Sequence, residues 1–187
     1  MTDVATLQAV PSRARLATVW LDGCSGCHMS LLDTDTRLLE LARQCDVVYG
    51  PLVDAKVVPQ GIDLTLVEGA VSSDHDVHLL ETLRANSKLL VAFGDCAVTG
   101  NVPSMRNRLP LSAVYRKVFR DTAALGGDCP VDGVPTLLDR VLPVHQVVPV
   151  DLFLPGCPPP ADAIHQVLVD VLAGRQPNPL LLTRFGA

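Results

Sequence analysis

Aromatic side chains are scarce in this chain: Phe, Tyr and Trp together make up 4% of its 187 residues. Its core must therefore be built from Val, Leu and Ala rather than from stacked rings. Basic charge is also short, with 15 Lys and Arg against 20 Asp and Glu and a net charge of −5. No basic stripe interleaved with aromatics occurs, which removes the usual electrostatic footprint of a nucleic-acid binder. No apolar run reaches the ~18–20 residues that a membrane span requires. The segment from Met1 to Arg15 lacks an apolar h-region and a twin-arginine pair, so a cytoplasmic protein without an export leader is expected. A Walker loop, a Gly-x-Gly-x-x-Gly turn and a Ser/His/Asp arrangement are missing too.

What the chain does have is aliphatic weight, with 48% of its residues apolar. Either an enlarged core or a broad protein–protein face accounts for that, and composition leaves both open. At this length one domain is expected, since domains cluster near roughly 100–200 residues. Such a chain buries about 70% of its unfolded surface and needs no disulfide staples. Six cysteines in an apparently cytosolic protein then read as thiols or metal ligands.

Strand-like and helix-like segments alternate. Residues 17–21 read as a strand, followed by a cysteine turn and a helix from His28 to Gln44, where Met29, Leu32, Leu39 and Ala42 share one face. Strands follow at 46–49 and 63–67, then a helix over 74–86 capped by Ser72 or Ser73, then a strand over 88–93. Between Ala97 and Pro149 the signals thin. Residues 106–120 read as partly helical with Pro110 interrupting, and 126–133 as loop. A strand at 150–154 and a helix over 161–173, stopped by Gly174, close the pattern. Alternation of this kind predicts an α/β fold with a doubly wound parallel sheet in a single domain.

Four of the six cysteines, Cys24, Cys27, Cys96 and Cys157, sit just beyond the strands at 17–21, 88–93 and 150–154. In an open parallel sheet the carboxyl ends of the strands meet at one crevice, where ligands bind. Thiols distant in sequence are therefore expected to converge there. Taken alone, Cys24-Ser-Gly-Cys27 also fits a thioredoxin-like dithiol. Structural zinc more often uses two local pairs. Single thiols arriving from two further strand ends suit an iron–sulfur cube, which takes four thiolate corners. Gly23, Gly26, Gly94 and Gly156 beside them allow backbone to approach a bulky inorganic core and free N–H groups for its sulfurs.

The remaining polar groups carry weaker signals. Cys45 precedes its strand and is expected at the opposite sheet edge, and Cys129 reads as a spectator in a Gly/Pro loop. Glu68, at a strand end on the ligand side, is a candidate to contact a partner, relay protons or hydrogen-bond the loops. His28, just after the cysteine pair, reads either as a hydrogen-bond donor behind the site or, more commonly for a histidine at a helix start, as a solvated residue, and His75 and His78 read as surface residues. Asp95 opposes an anionic cluster beside Cys96 unless its carboxylate is hydrogen-bonded away.

Four segments, Asp22-Gly-Cys-Ser-Gly-Cys27, Val67-Glu-Gly-Ala-Val71, Gly94-Asp-Cys-Ala-Val-Thr-Gly-Asn101 and Leu154-Pro-Gly-Cys-Pro-Pro159, together resemble the small subunit of nickel–iron hydrogenases. They also resemble the related cluster-bearing 20 kDa subunit of respiratory complex I. The match is nearest to the short small subunit of cytoplasmic, bidirectional NAD-reducing hydrogenases. This resemblance implies a flavodoxin-like domain over residues 17–174, between an N-terminal extension (1–16) and a C-terminal tail (175–187). It implies one 4Fe–4S cluster held by Cys24, Cys27, Cys96 and Cys157, a large subunit carrying the nickel–iron site, and a flavin- and iron–sulfur-containing diaphorase that reduces NAD. Complex I relatives have adjacent cysteines in the first motif; the spaced pair here favours hydrogenase over a quinone reductase subunit. A flavodoxin-like fold also makes bound flavin mononucleotide conceivable, with no residue assigned to it.

Overall fold

A computed structural model describes residues 13–124 and 127–186. Of the extension expected over 1–16, residues 1–12 lie outside the described residues. Its last part belongs to the first strand, β1 (Ala14–Trp20). Four more strands join it: β2 (Cys45–Tyr49), β3 (Ile62–Glu68), β5 (Ser87–Phe93) and β7 (Leu152–Leu154). They form one sheet in the order β2-β1-β3-β5-β7, with every pairing parallel. Counted along the chain within that sheet the order is 2-1-3-4-5, the doubly wound flavodoxin-like arrangement.

Central strands of such a sheet are covered on both faces and read as continuous apolar runs. In β3 every residue but Asp63 is buried. The period of two sorts side chains between two layers. Leu16, Leu64, Leu66, Val91 and Phe93 pack with Leu31 of α1 (Gly26–Leu32), Leu41 of α2 (Arg37–Gln44) and Ile164 of α6 (Ala161–Leu172). Ala17, Val19, Val67, Leu90 and Ala92 face Leu80 and Leu83 of α3 (Asp74–Asn86). That helix starts where expected. Ser73 Oγ accepts from Asp76 N at 3.2 Å, and Asp76 Oδ2 accepts from Ser73 N at 2.9 Å, a reciprocal cap contributing about 1 kcal/mol.

Several expectations change. The single helix expected over 28–44 is two helices, α1 and α2, separated at Asp33–Thr36. Thr34 donates its hydroxyl to Leu31 O at 2.7 Å and Asp35 takes φ +53°. A run of short polar side chains competes with helical backbone bonding, and here the competition wins. The strand expected at 150–154 starts two residues later, because Asp151 turns aside to accept from Leu90 N at 2.7 Å and Arg84 Nη1 at 2.6 Å.

The stretch that reads poorly in sequence holds a second, two-stranded sheet. There β4 (Val71–Ser73) pairs antiparallel with β6 (Leu137–Leu142). Polar side chains from a 3₁₀ turn over Pro103–Arg108 hold β6 in place. Asn107 both donates to Val141 O (2.9 Å) and accepts from Val141 N (2.7 Å), and Arg106 donates to Leu138 O at 2.9 Å. Two short helices complete the described chain: α4 (Asp95–Thr99), and α5 (Leu111–Tyr115), which starts after Pro110 and widens into a π turn over Arg116–Asp121. Among the described residues, no helix is long and apolar enough to cross a membrane.

Candidate metal centre

The carboxyl ends of β1, β5 and β7 each release one cysteine-bearing loop. Neighbouring loops are tied by backbone: Gly94 N donates to Leu154 O at 2.8 Å and Asp95 N to Gly156 O at 2.9 Å. The β1 loop is tied to β3, with Asp22 and Ala70 exchanging N–H···O bonds at 3.0 and 2.7 Å. Cys27 and Cys96 each come within electrostatic reach of the other three thiols. Burial pushes the Cys27 thiol far up; Glu68 and then Cys96, Cys24 and Cys157 add to that. Cys96 is pushed up to about 11, by burial first and by Cys157 and Cys24 next. Cys27 is buried, Cys96 half-buried, and Cys24 and Cys157 are exposed, so the site opens to the surface. Among the described residues, no three His, Cys, Asp or Glu side chains are grouped to hold a single metal ion.

Two glycines let the cysteine loops pack as closely as they do. At Gly94, with φ +85°, an added Cβ would overlap the Cys27 sulfur. At Gly156, with φ +135°, an added Cβ would fall 2.5 Å from Pro159 Cα. Both positions also need a positive φ that L side chains rarely adopt. The cradle accordingly fits a bulky thiolate-ligated group. Thiols raised by burial stay protonated at neutral pH until metal displaces their protons.

Glu68 is the polar centre of the site. Only 2% exposed at the end of β3, its carboxylate accepts from Cys27 N at 3.2 Å and His28 N at 2.9 Å. Of the three roles considered from sequence, hydrogen-bonding the loops is the one seen. Of the two readings of His28 the solvated one does not hold: the residue is 5% exposed. Its Nδ1 meets Glu68 Oε2 and its Nε2 meets Thr18 Oγ1. A carboxylate only accepts, so the ring presents Nδ1–H to Glu68, and Nε2 shares a hydrogen bond with the Thr18 hydroxyl. Cys27 N–H is thereby committed to Glu68 rather than free for a cluster sulfur. The sequence signal was parity: Thr18 and Glu68 lie on the sheet face that packs against α1.

Asp95 is hydrogen-bonded away in the manner its position required. Its carboxylate accepts from Gly156 N at 2.6 Å and Gly186 N at 2.8 Å. The second bond brings the segment after α6 across the site, where Thr183 Oγ1 also donates to Pro155 O at 3.0 Å. The segment expected as a C-terminal tail is thus tied to the cysteine loops at Thr183 and Gly186.

The other candidates fall where sequence put them. Cys45 opens β2 at the opposite end of the sheet, buried, its thiol donating to Leu41 O at 3.3 Å. Cys129 lies in a loop with its thiol toward Pro130 O. His75 and His78 are exposed on α3.

Comparison with known proteins gives this arrangement its relatives. Residues 24–171 match the family described as NADH ubiquinone oxidoreductase, 20 kDa subunit. The chain is 39% identical over 168 residues to the HoxS delta subunit of the NAD-reducing hydrogenase of Cupriavidus necator, covering 87% of this chain and 80% of that one. It is 36% identical over 166 residues to a vhu subunit of the F420-non-reducing hydrogenase of Methanocaldococcus jannaschii, covering 88% of this chain but only 58% of the relative's length. Its fold superposes on a chain of an NAD+-reducing [NiFe]-hydrogenase crystallised in the H2-reduced state with TM-score 0.88 at 40% identity, covering 93% of this chain and 99% of that chain. A [NiFeSe]-hydrogenase chain at 20% identity and TM-score 0.59 shares the fold alone. The chain therefore belongs to the 20 kDa subunit family of NADH ubiquinone oxidoreductase, within which it is similar to hydrogenase subunits.

Proposed function

We propose that this chain is the electron-relay subunit of a cytoplasmic, NAD-reducing nickel–iron hydrogenase. In this reading Cys24, Cys27, Cys96 and Cys157 hold one 4Fe–4S cluster. Electrons pass through it between the nickel–iron site of a large subunit and a flavin- and iron–sulfur-containing diaphorase. The observation that carries the proposal is that thiols released from three separate strand ends come within electrostatic reach of Cys27 and Cys96, with Gly94 packed directly against the Cys27 sulfur. When bound, the cluster would supply one-electron transfer. The chain's own residues hold it: Glu68 fixes the Cys27 turn, and Asp95 joins the Cys96 and Cys157 loops while its charge is taken up by backbone N–H groups. Exposed apolar side chains on the same loops and helices, Trp20, Met29, Val102 and Met105, support a partner covering the open side.

A dithiol oxidoreductase using Cys24 and Cys27 fits less well. It uses only two thiols and leaves Cys96 and Cys157, which lie within electrostatic reach of Cys27, without a role. Flavin mononucleotide finds no support either, since the turn after β1, where a flavodoxin-like sheet opens toward a ligand, is the cysteine loop itself.

Iron and sulfide analysis after anaerobic reconstitution, with electron paramagnetic resonance of the reduced protein, tests the reading. About four irons per chain are expected for wild type and for Cys45→Ser. Cys96→Ser should lose or convert the cluster. Fewer irons in wild type, or a cluster lost from Cys45→Ser and kept in Cys96→Ser, would sink the assignment.

A further inference from the structure

Asn101 lies just beyond α4, one residue past its C-terminal Gly100, and holds an unusual backbone conformation with φ +29°. Three contacts fix it there. Gly100 N donates to Cys96 O at 2.9 Å, Asn101 N donates to Thr99 Oγ1 at 3.4 Å, and Ser104 Oγ donates to Asn101 O at 2.7 Å. Asn is among the few L residues that tolerate positive φ, at a cost that persists only where the surroundings impose it. What this conformation achieves is a reach across the site: Asn101 Nδ2 lies 3.5 Å from Cys157 Sγ. A metal-bound thiolate carries no proton and can only accept, so the amide nitrogen, not its oxygen, faces the sulfur.

We infer that Asn101 is a positioning and tuning residue for the cluster, donating a side-chain hydrogen bond to the Cys157 sulfur from the loop that follows Cys96. The inference rests on the cluster reading above. Donors to cluster sulfurs stabilise the more negative, reduced state and raise the reduction potential. Of the four thiols, Cys157 is one of the two exposed ones, and its own loop is tied to Asp95 through Gly156. Asn101 therefore gives this outer corner a fixed donor in place of exchanging water, and couples its position to the helix that carries Cys96.

The test uses the assembled complex with wild type, Asn101→Gly and Asn101→Asp. Glycine keeps the positive φ and deletes the donor; aspartate keeps the shape and replaces the donor by a negative oxygen. All three should retain full iron and sulfide, with the cluster midpoint potential falling in the order wild type, Asn101→Gly, Asn101→Asp in a redox titration followed by electron paramagnetic resonance. After exchange into heavy water, a deuteron coupling present in wild type should be missing from Asn101→Gly. Unchanged potential and coupling in Asn101→Gly with iron intact overturns the inference while leaving the cluster reading standing. A shift in Asn101→Asp alone also overturns it, since charge and not the donor would then be responsible. Loss of iron from Asn101→Gly overturns it in favour of a purely loop-building role. Fewer than about four irons in wild type overturns the cluster reading and the inference together.

Discussion

Glu68 shows how much a single side chain can settle. It ends a strand, is almost wholly buried, and accepts two backbone N–H groups from a helix start some 40 residues earlier in the chain. Replacing it with Ala leaves those donors and His28 unpaired in the interior, at an expected cost of about 3 kcal/mol in chemical denaturation of the metal-free chain. Gln, which retains one acceptor oxygen, should cost less than Ala. Sequence named Glu68 as a candidate but ranked the donor role of His28 below a solvated one, because nothing local announces a partner so far away along the chain. At the other end of β3, Lys88 and then the Arg15 backbone N–H hold the Asp63 carboxyl below its ordinary range. A depressed carboxylate contributes stability above the unfolded value, near pH 3.9, and loses it as pH falls through the lower folded value. Asp63→Asn should thus be less stable by about 0.5 kcal/mol at pH 7, a modest figure for a partly exposed pair. Thermal melts across pH should show that gap closing below about pH 4.

At the level of elements, the strands at 63–67 and 88–93 and the helix at 74–86 were legible because period and capping agreed with the final packing. The α1–α2 break was not, since Asp33–Thr36 interrupt an apolar stripe that by itself continues across them. Nor was β6, whose sequence Leu-Leu-Asp-Arg-Val-Leu lacks alternation and which Asn107 and Arg106 tie down by its backbone in addition to the packing of Leu138 and Leu142 on the core. The four cysteines were legible because each follows a strand, and their meeting is a property of parallel topology more than of any loop. The β5–α4 junction is where that topology leaves least room. Gly94→Ala introduces strain of roughly 1–3 kcal/mol at a positive φ and a methyl group against the Cys27 sulfur. Far-ultraviolet circular dichroism should remain nearly unchanged while reconstituted iron drops at least several-fold. Full iron content in this variant would contradict the tight cradle.

Across the molecule, the sheet has two unlike ends. One carries the four converging thiols, and the other buries Cys45 among leucines. Met29, on the helix that follows the first cysteine pair, is 62% exposed and Met105, shortly after α4, is 69% exposed, which makes them candidates for the partner face proposed above. Met29→Glu combined with Met105→Glu should reduce co-isolation of the large subunit by about tenfold or more, equivalent to at least ~1.4 kcal/mol, with iron content unchanged. Equal recovery from a pull-down at matched expression would mean that the partner docks elsewhere.

The mooring of the Cys27 turn by Glu68 has one more consequence. Small metal-built modules collapse when stripped, because the ion itself supplies their folding energy. Here a protein carboxylate shapes the mould from within, so emptying it need not erase it. Chelation followed by a fresh supply of iron and sulfide should refill the same chain, with no passage through an unfolded form.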